Sequence, residues 1–394
     1  MDQSIAAPKP EVGNSLPPVG NPPGRVRTVR AAYFMAGIGI SAWAITVPFT
    51  KIRFGLNDAQ LGLILLAPGI GGTLAMPLAG LAVARFGSRT VLLTAGILFG
   101  IILPSLTIAP SPLAFTVLLF TFGVLFAIID IAMNAQGATT EARSGGLLMS
   151  SFHGLYSVGT LTVAVVTSLL LKLGASNAAC ALLCGAGIFA IISQFKYLQP
   201  KAEDAPADGP GFALPNRATI LLGICCFACF LTEGAVTDWS TIFLRFSRSI
   251  PISLAFYGYA GFALAMAATR LAGDAIATRF GKTTLMRAGS LIAGGGMLLA
   301  VLTPYEITDV IGFALVGIGT GNIAPLVFSA ASRIPGLNPN ASVPAVMTLG
   351  YAGFLLGPVI IGFVANATSL AVALSLDAAM LIALSLAARA VEVK

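Results

Sequence analysis

Six polar side chains interrupt stretches that are otherwise apolar: Asp130, Asn134, Glu233, Asp238, Asn322 and Asp377. Inside a membrane-length apolar segment an ionisable group costs about 2.5–3.5 kcal/mol, so one that is present faces a cavity or a partner. Asp130 and Asn134 are four residues apart, share one helix face, and could meet one ligand or one proton path. A structural pair that bonds a neighbouring helix is an equal reading. Glu233 follows the run ILLGICCFACFLT and adjoins Gly234. A carboxyl removed from water holds a proton more readily, which suits binding and release as a cavity alternates. Glu233 is therefore expected to couple or to contact ligand. Asp238 and Trp239 fall nearer the outer interface, where Asp238 is expected to be partly hydrated and Trp239 a belt residue. Asp377 is expected to be structural. Trp43 could stack on a sugar or organic ring and Asn322 could bond hydroxyls, with packing an equal reading for Trp43. His153, the single histidine, reads as a hydrogen-bonded packing residue rather than a proton relay. Buried bases are scarce, Arg270 being the main exception. An anionic solute would need a cationic clamp, so the expected substrate is neutral or cationic, with unpaired carboxylates left for proton coupling.

The elements that must position these groups follow from composition. Of 394 residues, 57% are hydrophobic and only 9% charged, against about 25% charged in soluble proteins. Mean hydropathy is +0.92. The apolar residues fall in blocks of roughly 20 or more, long enough to cross a hydrocarbon core about 30 Å thick. Gly 44 and Pro 23 agree, because both are commoner in membrane helices. The predicted spans are 31–50, 59–84, 90–108, 112–136, 146–171 and 178–197, then 218–244, 252–278, 284–303, 307–331, 342–365 and 368–389. The fold class is thus an all-α membrane protein of twelve transmembrane helices. Residues 1–30, proline-rich and without an apolar run, read as a disordered cytoplasmic tail. Residues 31–197 and 218–394 form two six-helix bundles, and 198–217 (polar, rich in Pro and Gly) is the linker.

Charge placement tests this layout. Seventeen of the 22 Lys and Arg residues fall on the side of the termini; only Lys51, Arg53, Lys172, Arg245 and Arg248 fall opposite. The positive-inside rule then puts both termini and the linker in the cytoplasm, in a bacterial inner membrane. The net charge of +7 serves topology and anionic headgroups, so the lipid bilayer and not nucleic acid is the expected partner. Cys180, Cys184, Cys225, Cys226 and Cys229 all lie in apolar segments. The Cys226–Cys229 spacing has no second pair or nearby histidine, so packing is preferred to metal or redox use. No metal site and no cofactor are expected.

A repeat appears in the loops. GLAVARFGSRTVLLTAG (80–96) and GDAIATRFGKTTLMRAG (273–289) both place Arg-Phe-Gly and a basic residue between two spans. Parallel six-helix repeats are a transporter plan, with substrate held between them. Here the sequence resembles the major facilitator superfamily (MFS) over nearly its whole length after the tail. The first loop is similar to that family's G-x-x-x-D-R-x-G-x-R signature through Gly80, Arg85, Gly87 and Arg89, with Ala84 in place of the acid; the second carries Asp274, Arg279 and Gly281. DIAMNAQG (130–137), SFHGLYSVG (151–159), TEGAVTDWS (232–240), GFALVGIGTGNIAPLVFSAASR (312–333) and GYAGFLLGPVIIGF (350–363) resemble a bacterial branch related to fucose-type sugar permeases. The resemblance implies two pseudo-symmetric bundles, spans 1, 4, 7 and 10 around a central cavity, gating by the two loops, and a monomer.

The expected function is secondary, proton-coupled symport of a small polar, sugar-like solute. The alternative is an exporter of drugs or metabolites. Span 5 lacks the Gly-Pro element of exchangers in this superfamily, whereas span 11 has Gly357-Pro358, which favours uptake. No G-x-x-x-x-G-K-[ST] run is present to bind ATP. A membrane enzyme would need clustered nucleophiles or metal ligands, and a sensor would need an output domain; neither feature is visible.

Overall fold

A chain that crosses hydrocarbon must satisfy its backbone polar groups internally, so apolar segments of this length fold as helices. The computed structural model describes residues 21–392 except 23, 145–147, 204–215, 336 and 338. Most of the expected tail and of the linker lies outside the described residues. The helices are α1 (Arg25–Phe54), α2 (Asp58–Phe86), α3 (Ser88–Ile108), α4 (Pro112–Ser144), α5 (Met149–Lys172), α6 (Asn177–Ile192), α7 (Arg217–Ile242), α8 (Ile252–Phe280), α9 (Lys282–Leu302), α10 (Glu306–Thr320), α11 (Ile323–Ala331), α12 (Pro339–Ala367) and α13 (Leu370–Leu384). They supply twelve segments long and apolar enough to span a membrane, α10 and α11 together making the tenth.

Three differences from the sequence reading have physical causes. The first helix starts at Arg25, not at residue 31, because Arg25 and Thr28 are buried and held in the bundle. The fourth continues to Ser144, where Gln136 Nε2 donates to Ser88 Oγ (2.7 Å) and to the Gln199 carbonyl (3.0 Å), tying the helix end to the linker. The tenth span is broken at Gly321–Asn322, where a single helix over 307–331 was expected.

The two halves repeat each other at an offset of 194 residues. Gly87 (φ 85°, ψ 145°) and Gly281 (φ 82°, ψ 151°) occupy the same left-handed conformation between α2 and α3 and between α8 and α9. Gly123 packs so closely on the Pro68 carbonyl that an added methyl would lie 2.0 Å from it; the same methyl on Gly317 would lie 2.3 Å from the Phe262 carbonyl. Gly159 on Phe34 and Gly353 on Phe227 repeat this at 2.3 Å each. In every case glycine permits helix backbones to touch. The arginines follow suit. Arg53 Nη1 donates to the Thr107 carbonyl (2.6 Å) and Nη2 to that of Ala109, while Arg248 Nη2 donates to the carbonyls of Val301 (3.2 Å) and Thr303. Each guanidinium thereby covers the open carbonyl end of the third helix of its half, where a cation also favours the helix dipole.

The halves join through α2–α12, α5–α8 and α1–α7. These seams lie on the face opposite the termini: a methyl on Gly62 would meet the Pro358 carbonyl at 2.6 Å, Ser168 Oγ donates to the Ser253 carbonyl, and Lys51 Nζ sits 5.3 Å from the Phe246 ring. On the terminus side His153 and Arg270 are exposed and Gly154 faces open space. The interface is sealed at one mouth and open at the other.

Arg248 also pairs with Asp309 (Nε–Oδ2 3.2 Å), whose side chain is fully buried. Arg248→Met is expected to leave that carboxyl without its cation and to cost about 3 kcal/mol, read as a drop in Tm in detergent. Arg53→Met, on an exposed residue whose partners are carbonyls and the Phe54 ring rather than an acid, should cost about 1 kcal/mol or less.

Candidate transport site

Between the halves, the helices that line the open mouth carry the polar groups. On the first half α1 and α4 present a connected set. Tyr33 Oη donates to Asn134 Oδ1 (2.8 Å), and Asn134 Nδ2 donates to the Asp130 carboxylate (3.1 Å) and to the Asp130 backbone carbonyl (2.8 Å). The four-residue spacing does put Asp130 and Asn134 on one face. Tyr33 also stacks on Phe152 (5.4 Å) and meets His153 edge-on (5.1 Å). His153 packs on a ring as expected, yet its other side is exposed towards the open mouth.

On the second half the break in the tenth span organises the site. Ending α10 at Thr320 leaves carbonyls without helical donors. Arg270 Nε, from α8, donates to the Gly321 carbonyl (3.2 Å), and Cys229 Sγ, from α7, lies 3.8 Å from that of Thr320. Arg270 Nη2 then reaches Glu233 Oε1 at 3.0 Å, and Cys229 Sγ lies 3.6 Å from the same oxygen. Glu233 is not an unpaired acid, as the sequence reading had it. Arg270 neutralises it, reaching up from ten residues inside α8, about 15 Å from that helix's end. The side chain of Glu233 is 11% exposed and that of Arg270 37%, so the cation faces the cavity and the anion stands behind it.

Three other expected residues fall in different roles. Asn322 Nδ2 donates to the Thr269 carbonyl (2.9 Å), and its amide sits where a Gly273 side chain would be; it bridges the break to α8, so its donor is already committed. Trp43 is 3% exposed and packs on Phe115 and Phe122, each 6.1 Å away. Its indole interacts with the Asp238 carboxyl across the α1–α7 seam. Asp238 is thus only half-buried by neighbours yet engaged, and the pair joins the halves rather than lining the open mouth. Trp239 is fully buried, not a belt residue. Asp377 bonds Thr232 Oγ1 (2.8 Å), in keeping with a structural role.

In the loops, Gly87 is required by its positive φ and by contact with Lys201, whose Nζ donates to the Arg85 carbonyl (2.5 Å). Arg85 and Arg279 lie over Phe86 (5.4 Å) and Phe280 (5.3 Å). Gly80 has open space around it, and so has Gly281, which is needed for its φ alone. Arg89 is half-buried in the first turn of α3. The side chain of Asp274 lies outside the described residues. All five cysteines are free and mostly buried.

The sequence reading missed the tyrosines. Tyr156 on α5 is near enough to Tyr259, Asp130, Arg270 and Glu233 to interact with them electrostatically, and Tyr351 on α12 with Asp130 and Glu233. Hydroxyls in the middle of apolar spans were the available signal. Together with Tyr33 they bring both halves' polar groups to one chamber.

Two repeated half-bundles around a shared polar chamber define a membrane carrier. The chain belongs to the Major Facilitator Superfamily, whose family profile matches residues 31–358. It is 42% identical over 366 residues to an uncharacterized MFS-type transporter of Yersinia pestis, covering 92% of this chain and 95% of the relative. It is 30% identical over 359 residues to the membrane protein MosC of Rhizobium meliloti, covering 89% and 87%. In fold it is similar to a mutant of the nucleoside transporter NupG (TM-score 0.77, 13% identity, 93% of this chain and 99% of that one). It is similar also to a bacterial homologue of the human lysosomal transporter Spinster in an inward-facing, occupied conformation (TM-score 0.70, 16% identity, 95% and 97%).

The unequal exposure of the ion pair predicts unequal mutants. Arg270→Gln strands a buried carboxylate and should lower stability by about 1–3 kcal/mol. Glu233→Gln leaves a guanidinium that water can reach and should cost less than about 1 kcal/mol. Thermal unfolding of the two purified variants checks the order.

Proposed function

We propose that this protein is a secondary active transporter that takes up a small polar, sugar-like solute, neutral or cationic, together with protons. The observation that carries the reading is the Glu233–Arg270 pair at the break in the tenth span. Its charges cancel, so Arg270 is not a clamp open to anions, and Asp130 is left as the acid of the chamber wall without a basic partner among the described residues. Hydroxyl groups of the half-buried Tyr156 and Tyr351 suit a polyol or ring-bearing solute. A fold relative that transports nucleosides, which carry an uncharged sugar, is in keeping with this class.

The units that rock are 31–197 and 218–394, joined by 198–217. Lys and Arg asymmetry supports a bacterial inner membrane with both termini cytoplasmic, which makes the sealed mouth the outer one and the described state inward-facing. Proton coupling would run through Glu233. Protonation would discharge its bond to Arg270, freeing the guanidinium that holds the Gly321 carbonyl, so the break in the tenth span would feel the proton. The reading makes the chain a carrier working as a monomer rather than an enzyme.

A thermal-shift panel of neutral sugars, amino sugars and nucleosides should yield a stabilising ligand. Radiolabelled, that ligand should accumulate in proteoliposomes under an inside-alkaline pH gradient and only equilibrate without one. Glu233→Gln should retain equilibration and lose accumulation by tenfold or more. Accumulation that persists undiminished in this variant would remove Glu233 from the coupling path.

A further inference from the structure

Asp377 lies on α13, on the far side of α7 from the chamber, and is 3% exposed. Its Oδ1 is 2.8 Å from Thr232 Oγ1, and its Oδ2 has no hydrogen-bond partner. Thr232 is wholly buried, and its hydroxyl oxygen is also 3.0 Å from the Ala228 carbonyl one turn back. Packed on α13 are α7, α9 and α12, together with the helical turns at Phe243–Ser247 and Ser385–Val391. Their ionisable groups include Glu233, Asp238 and three cysteines (Cys225, Cys226, Cys229) on α7, Lys282 and Arg287 on α9, Tyr351 on α12, and Arg245 and Arg389 on the two turns. None of these pairs with Asp377 or acts on it through charge.

Hydrogen counting separates the two forms of this acid. A hydroxyl has one proton to donate, and Thr232 stands between two oxygens. Were Asp377 a carboxylate, Thr232 would turn its proton to Oδ1, the short contact to Ala228 would hold no hydrogen, and a buried charge would rest on one neutral donor. Such a charge is the costlier arrangement. Were Asp377 a neutral acid, its O–H would donate to Thr232 and Thr232 would donate onward to Ala228. Both short contacts then carry a proton, and Oδ2 is only a carbonyl acceptor short of a donor.

We propose that Asp377 is a positioning residue, a neutral carboxylic acid that donates to Thr232 and so fixes the turn of α7 that presents Glu233. Thr232 precedes Glu233, and the Ala228–Thr232 turn contains Cys229, whose sulfur touches the Glu233 carboxyl. The relay Asp377–Thr232–Ala228 therefore sets the rotation of α7 at the acid facing Arg270. The consequence for coupling rests on the role given to Glu233 above; the protonation of Asp377 does not.

Infrared difference spectroscopy on the full-length purified protein tests this without any substrate. Wild type minus Asp377→Asn should show a protonated-carboxyl C=O band that persists to alkaline pH. Carboxylate bands in that difference at neutral pH would overturn the proposal. The titration of Glu233, assigned by the bands lost in Glu233→Gln, provides the positioning readout. Its midpoint should move in Asp377→Ala and return to the wild-type value in Asp377→Asn, which can donate from its amide. Identical midpoints in all three proteins would reduce Asp377 to packing and sink the positioning role, as would an Asn variant shifted as far as the Ala variant. If Asp377→Ala does not fold, Thr232→Val, which cuts the same relay, replaces it and should move the midpoint likewise.

Discussion

The absence of water from the bilayer interior governs this structure: a polar group there must find its partner within the protein. The tenth span breaks at Gly321–Asn322 and thereby exposes carbonyl oxygens in the middle of the membrane. The protein answers with Arg270, which bonds the Gly321 carbonyl and pairs with the more deeply buried Glu233. Backbone irregularity, guanidinium and carboxylate are thus one arrangement in three parts. The three support one another, and the one ion pair reaching the chamber among the described residues sits at this break.

The two halves share a scaffold and differ in their polar chemistry. Glycine seats at 123 and 317 and at 159 and 353, the left-handed turns at Gly87 and Gly281, and the carbonyl-capping arginines Arg53 and Arg248 recur at nearly constant spacing. The chamber groups do not recur. One half offers the Tyr33–Asn134–Asp130 chain on unbroken helices, the other an ion pair at a helix break. The packing recurs while the wall differs, so the scaffold is symmetric and the chamber two-faced. Trp43 and Asp238 hold nearly equivalent positions in the two halves and meet each other, as residues beside a two-fold axis must.

Much of the fold was legible because hydropathy reports the one force that decides it. Twelve spans and the Arg-Phe-Gly repeat could be read directly, and Asp130 with Asn134 followed from helical spacing. What the sequence concealed were interactions between segments. That Glu233 is paired depends on Arg270 coming from another helix at the right depth. That Asn322 is spent on the Thr269 carbonyl depends on a helix break whose only local signs are Gly319, Gly321 and Asn322, in a chain already full of glycine. The seats at Gly123 and Gly159 were present as letters, but a glycine in a membrane helix does not declare which backbone it touches. The tyrosines were passed over because a phenol reads as half apolar, although their hydroxyls converge on the chamber.

The capping arginines alter how the charge pattern itself should be weighed. Four of the five basic residues on the sealed side are already engaged: Lys51 with Asp58, Arg53 and Arg248 with helix-end carbonyls, and Arg245 with the Ile250 carbonyl. A hydrogen bond to a carbonyl leaves the charge in place but fixes where it sits, so these cations are held at helix ends and turns rather than ranging over the lipid surface. On the sealed rim Lys51 and Arg248 stand beside acids while Arg53 and Arg245 rest on carbonyls, so the few basic residues there double as fastenings of helix ends and turns.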